Sequence, residues 1–157
     1  MGAAFFYHLT EASAAQTLAM LLPKALAAGW RVEVRGTDPA RIEALDIALW
    51  QGPDEGFLPH GLAGGPHDAA QPVLLCAGQP AANDPTCLMA VDGAEVDPAE
   101  AARAERVCIL FDGQDEGAVA AARGQWKQLT DAGLPAQYWA QEGGRWAMKA
   151  QKGDANG

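Results

Sequence analysis

Val119, Arg123, Trp126 and Lys127 stand at i, i+4, i+7 and i+8 of one helical pattern, which places them close to a single face. Two cations can hold carboxylates through charge-assisted hydrogen bonds, and the indole beside them can pack an apolar side chain. An acidic peptide, or a chain end carrying its own carboxylate, needs both. The plainer account is a helix edge with Trp126 half-buried and the two cations solvated. A second candidate lies in LWQGPDEGFLPHGLAGGPHDAAQP, from Leu49 to Pro72. Trp50, Phe57, Leu58 and Leu62 are threaded there among turn residues. Such side chains either fold back as a lid over the core or face a partner.

Other chemistries have less behind them. The phosphate-cradling GxxxxGK[ST] does not occur, and YHLTEASAAQ brings no glycine to where a pyrophosphate would approach the first strand. GLAGGP is glycine-rich but precedes no evident helix. His8, His60 and His67 include no helical i, i+4 pair, so no metalloenzyme pattern is present. LFDGQDEG sets Asp112, Asp115 and Glu116 at a strand end without the spacing of a calcium loop. A turn at Asp112-Gly113 and capping by Asp115 account for it. Without GxSxG there is no nucleophile elbow. A nucleotide-binding or small hydrolytic enzyme would rest on fold analogy alone. No catalytic residue, metal or cofactor is expected. Cys76, Cys87 and Cys108 lie in apolar stretches without a CxxC and are expected to be buried thiols.

Composition narrows the partners. The 157 residues suit one domain with one core. The net charge of -9 argues against general phosphate-backbone binding, so any contact with DNA should be indirect. The distribution says more. Ile42 to Ala102 holds ten acids and no Lys or Arg, whereas Arg103 to Lys152 holds seven basic residues and six acids. An anionic partner should therefore dock on the C-terminal third, helped by Lys24, Arg31 or Arg35. No apolar run approaches the ~20 residues of a membrane helix. MGAAFFYHLTEA has neither a signal-peptide pattern nor a myristoylation signal. A cytoplasmic protein without membrane contact is expected.

These residues need elements to hold them. AAFFYHL reads as a buried first strand. Ser13 and Gln16 have capping-box spacing ahead of a helix whose apolar face is Leu18, Leu21, Leu22 and Ala25, stopped by Gly29. Pro23 should kink it. WRVEVRG alternates as a second strand. Asp38 and Pro39 open a helix lined by Ile42, Leu45 and Leu49 and ended by Trp50. The segment up to Pro72 is expected to be loop. Pro72–Cys76 and Cys87–Gly93 read as strands, Asp97-Pro98-Glu100 as the start of a short helix, and RVCILFDG as a strand. DEGAVAAARGQWKQLTDAG is the last long helix. AQYWAQ and RWAMKA around EGG suggest a hairpin. This order implies a single α/β domain over 1–150. Its mostly parallel sheet is flanked by helices as a Rossmann-like three-layer sandwich, and the hairpin supplies antiparallel edge strands. Residues 151–157 are expected to be a disordered tail.

Four stretches carry a family resemblance: FYHL, LDIALWQGPDEGFLPHGLAG, RVCILFDG and ARGQWKQLTDAG. The combination LDxxLW, six residues, then FxPHxLAG is specific. The chain resembles the chi subunit of bacterial DNA polymerase III holoenzyme from Ala3 to Lys149. The resemblance implies a non-catalytic accessory protein of the clamp-loader assembly in DNA replication. It implies two partners: the acidic, phenylalanine-ended C-terminal tail of single-stranded-DNA-binding protein, and the psi subunit, whose surface some members share with a helicase-like repair protein. On that basis Arg123, Trp126, Lys127 and Val119 would take the tail. Trp50, Phe57, Pro59, His60 and Leu62 would face psi or an equivalent partner. The family often has Tyr where this chain has Trp126, and either ring can pack a phenylalanine.

Overall fold

The computed structural model describes residues 2–51 and 59–153. Seven parallel strands and one antiparallel strand form a single sheet in the order β3-β4-β2-β5-β6-β1-β7-β8. The strands are β1 (Ala4–Leu9), β2 (Val32–Arg35), β3 (Gly61–Leu62), β4 (Val73–Cys76), β5 (Cys87–Ala90), β6 (Arg106–Asp112), β7 (Ala136–Glu142) and β8 (Arg145–Lys152). The helices are α1 (Ala14–Ala27), α2 (Pro39–Trp50), α3 (Pro98–Arg103) and α4 (Glu116–Asp131). Phe6 of β1 is fully buried on one side of the sheet and Tyr7 on the other, so both faces must be covered. On one face Leu18, Leu22 and Ala25 of α1 join Ile42, Leu45 and Leu49 of α2 over Val32, Val34, Val73 and Met89. On the other, Ala101 of α3 with Ala122 and Leu129 of α4 cover Phe6, Val107, Ile109 and Ala136. This is the three-layer α/β sandwich that the alternating pattern implies.

Local signals set most helix starts. Ser13 and Gln16 form the full capping box of α1, Asp97 and Glu100 that of α3, and Asp38 and Asp115 cap α2 and α4. A cap of this kind satisfies first-turn N–H groups and is worth about 1 kcal/mol. α1 runs through Pro23 to Ala27, as its pattern implies; Pro23 is exposed, so water can take the carbonyl that loses its donor. Other expectations change. β5 stops at Ala90, because Asp92 and Gly93 adopt φ of 54° and 77° and turn the chain. Two residues of the expected loop, Gly61 and Leu62, pair in parallel with Leu74 and Leu75 and become the edge strand β3. β8 runs two residues into the expected tail, since Gln151 and Lys152 pair with Gln137 and Ala136.

α3 is anchored by charge. The Arg35 guanidinium donates to both Glu33 oxygens, at 2.9 and 3.0 Å, and to both Glu100 oxygens, at 2.6 and 3.0 Å. Glu33 is almost wholly buried on β2, and a carboxylate there needs such a partner. Hydrogen bonding from Arg35 holds the Glu100 carboxyl below its ordinary range.

Candidate functional site

α4 crosses the sheet over β1, β6 and β7, and its inner row of Ala122, Gln125 and Leu129 is buried. Trp126 lies beside that row and is half-buried. Its indole meets the Phe6 ring edge-on at 5.3 Å and 64°, and the Tyr138 ring at 6.1 Å and 73°. Tyr138 also lies 5.8 Å from Phe111, and its hydroxyl is 2.6 Å from Nδ1 of His8. The His8 ring meets Phe111 edge-on at 5.1 Å. Trp126, Tyr138, His8 and Phe111 thus make an aromatic floor with a polar notch at the His8–Tyr138 contact.

Exposed cations share α4 with Trp126. Arg123 is exposed, one turn before Lys127 on the same row. Burial raises the Tyr138 hydroxyl above its ordinary pKa, and the Arg123 charge opposes that shift, so the guanidinium acts on the ring that forms the floor. Lys127 donates to Oδ2 of Asp131 at 2.7 Å in an exposed i, i+4 pair. That hydrogen bond raises Lys127 and lowers Asp131. Lys152 of β8 also lowers Asp131, so the end of the hairpin brings a further cation to this face. Val119 is partly buried one turn before Arg123 and packs on the same cluster as Trp126. The arrangement sets half-buried aromatic rings beside exposed cations on one helix, which suits an apolar side chain next to carboxylates.

Sequence reasoning missed Tyr138 and His8. Both lie on strands, more than a hundred residues apart, and meet only because β1 and β7 are neighbours, with His8 paired to Ala140. It also offered Arg31 and Arg35 as helpers for an anion. Arg35 is bound by its two glutamates, and Arg31 donates to the Ala69 carbonyl at 2.6 Å, so neither serves this site. Lys24, on α1, lies on the opposite face of the sheet.

The second group of residues gathers where α2 meets β3. Trp50 is 50% exposed and stacks on the His60 ring at 4.1 Å and 30°. His60 is 4% exposed, with Nε2 3.2 Å from the Asp46 carbonyl oxygen and 3.3 Å from its Oδ1. His60 therefore supports Trp50 from below. Leu62 is exposed on β3, and Pro59 is partly buried. Ile47, one turn before Trp50 and 48% exposed, extends the apolar surface. Its place outside the Ile42–Leu45–Leu49 face was the available signal. Phe57 and Leu58 lie outside the described residues.

A cleft of about 1140 Å³ opens at the C-terminal ends of the strands, where α/β folds commonly bind nucleotides. Its walls carry Glu11, Asp38, Asp92, Glu95, Asp112 and Asp115 against Arg41. The N-termini of α1, α2 and α4 open into it, but Ser13, Asp38 and Asp115 already accept from their first-turn N–H groups. This lining repels phosphate. Among the described residues no cluster of His, Cys, Asp or Glu could hold a metal ion, and no helix is long and apolar enough to cross a membrane.

One family comparison bears on the whole chain: the model described as DNA polymerase III chi subunit, HolC, matches residues 1–137. No curated protein matches the sequence.

Proposed function

We propose a role as a replication adaptor, on the premise that the chain belongs to the DNA polymerase III chi subunit family, whose model covers most of it. Membership makes it an accessory protein of DNA replication. The adaptor uses two surfaces and no catalytic residue of its own. The α4 pocket takes the acidic, phenylalanine-ended C-terminal tail of single-stranded-DNA-binding protein. The terminal ring packs against Trp126 and Tyr138, Arg123 holds the terminal carboxylate, and Lys127 meets the acidic residues before it. The α2–β3 surface, with Trp50, Ile47 and Leu62, meets the clamp loader through psi or an equivalent partner, and His60 holds Trp50 in place. Pro59 and Phe57 belong to the same segment.

The observation that carries this reading is the half-buried Trp126–Tyr138 ring pair beside the exposed cations Arg123 and Lys127 of the same helix, in a chain whose net charge is -9. Cations beside an aromatic pair select a ligand that is both acidic and apolar. The test is fluorescence anisotropy of a short labelled acidic peptide ending in Phe, beside the same peptide without its last residue and one with an amidated C-terminus. Binding should be micromolar, weaken with salt as charge pairs are screened, and fall for both altered peptides. No binding at low salt, or equal binding without the terminal Phe, sinks the tail assignment. Capture of a clamp-loader partner by wild type but not by a Trp50→Ala/Ile47→Ala chain tests the second surface separately.

A further inference from the structure

A second cavity, of about 270 Å³, lies on the other face of the sheet, between the last turns of α1 and strands β1, β5 and β6. Neither proposed docking surface includes it. Its walls are apolar where Leu21, Ala25 and Met89 contribute, and they carry no Asp or Glu. Two cations border it, Lys24 from the last turn of α1 and Arg106 from the start of β6. The Tyr7 ring and the thiols of Cys87 and Cys108 complete the wall.

Arg106 is the unusual member. Its guanidinium lies 4.2 Å from the centre of the Phe5 ring and 5.2 Å from that of Trp30. Its Nε is buried and donates to nothing among the described residues, and no carboxylate there pairs with the group. An arginine can sit beside a helix C-terminus simply to serve the last carbonyls. Here the backbone N–H groups of Ala28, Gly29 and Trp30 already reach the carbonyls of Lys24, Ala25 and Leu26. A buried guanidinium nitrogen with a spare donor beside an apolar cavity is a group awaiting an anion.

We propose that this cavity binds a small carboxylate with an apolar body, its carboxylate held between Arg106 and Lys24 and its body against Leu21, Met89 and Trp30. The size fits that class, since the cavity falls just below the range of pockets that take drug-sized ligands. The thiols act as apolar wall. Cys108 is raised well above the ordinary thiol range by its hydrogen bond with Cys87 and by burial, so it stays protonated at neutral pH.

Hexanoate and its neutral isostere hexanamide are suitable probes on the full chain. The readout is the indole N–H resonance of Trp30 in proton–nitrogen spectra, assigned with Trp30→Phe. Hexanoate should move that resonance saturably, and hexanamide should bind about tenfold more weakly, the loss expected for one charge-assisted hydrogen bond. Arg106→Gln should weaken hexanoate by a similar factor. Lys24→Gln, at an exposed position that the fold does not depend on, should weaken it by a smaller one and decides the matter if Arg106→Gln fails to fold. A Trp30 resonance that does not move, equal responses to the two probes, or an unchanged hexanoate affinity in the folded variants overturns the proposal.

Discussion

Two tryptophans stand at the two surfaces of this chain, and they are held in opposite ways. Trp126 is wedged edge-on between Phe6 and Tyr138, so most of its contacts are internal and its open side forms part of a pocket. Trp50 lies flat on His60 with half its surface in solvent, so most of what it offers is external. The first geometry sets a held ring beside the exposed cations of α4, suited to the end of a peptide. The second makes an apolar platform with Ile47 and Leu62, suited to the face of a folded partner. The sites also lie on opposite faces of the sheet, one on α4 above β1, β6 and β7, the other on α2 beside the β3 edge. Their placement on opposite faces suits the linking role proposed above.

The contrast can be broken most directly by truncating each indole. Trp126→Ala should lower folding stability by about 3 kcal/mol, the scale for a large aromatic lost from a packed cluster, as read from urea unfolding. A cost near zero would mean that Trp126 is not the wedge described. His60→Ala should cost about 2 kcal/mol, because it empties a buried site and removes the support of Trp50. Its second signature is a red-shifted Trp50 emission, isolated by subtracting the spectrum of the matching Trp50→Phe chain. Arg123→Ala should leave unfolding unchanged within about 0.5 kcal/mol while weakening the tail peptide by about 1.5 kcal/mol in calorimetry. A loss of stability without a loss of binding would make Arg123 a structural residue. Trp50→Ala should also stay within about 0.5 kcal/mol of wild-type stability and leave tail binding intact, so that only partner capture is lost.

The smallest expected effect concerns Asp131. Its carboxylate competes for Lys127, so Asp131→Asn should tighten tail binding slightly at low salt, and the gain should vanish as salt rises. The pH dependence has a definite sign. Lys127 holds the Asp131 carboxyl below its ordinary value of 3.8, so their pairing favours the folded state above that value. The contribution disappears as pH falls through the lowered folded-state pKa. Asp131→Asn should therefore flatten the acid limb of the stability curve, and an unaltered limb would show that the pair contributes nothing there.

Much of this was legible in the chain. Ser13–Gln16, Asp38-Pro39 and Asp97–Glu100 mark helix starts by local hydrogen bonding, which depends on residues three or four apart. Val119, Arg123, Trp126 and Lys127 were readable as one face because helical spacing is also local. Most strands of the parallel sheet were readable because burial on both faces makes β1, β4, β5 and β6 nearly continuous apolar runs, and β2 because it alternates. β3 was not, because two residues are too few to show a period and its pairing with β4 uses only backbone groups.

The sequence by itself thus determined the sandwich, the family and the row of residues on α4, all through short-range pattern. Tertiary structure alone decided what stands opposite that row. Tyr138 meets both Trp126 and His8 because β1 lies between β6 and β7, and strand order is set by packing of the whole sheet rather than by local pattern. It also decided that His60 is support and Ile47 is surface, since α2 is turned by the burial of Ile42, Leu45 and Leu49. In the same way it left Arg106 without a carboxylate among the described residues while giving Arg35 two, a difference of neighbours that two arginines on like strands do not announce.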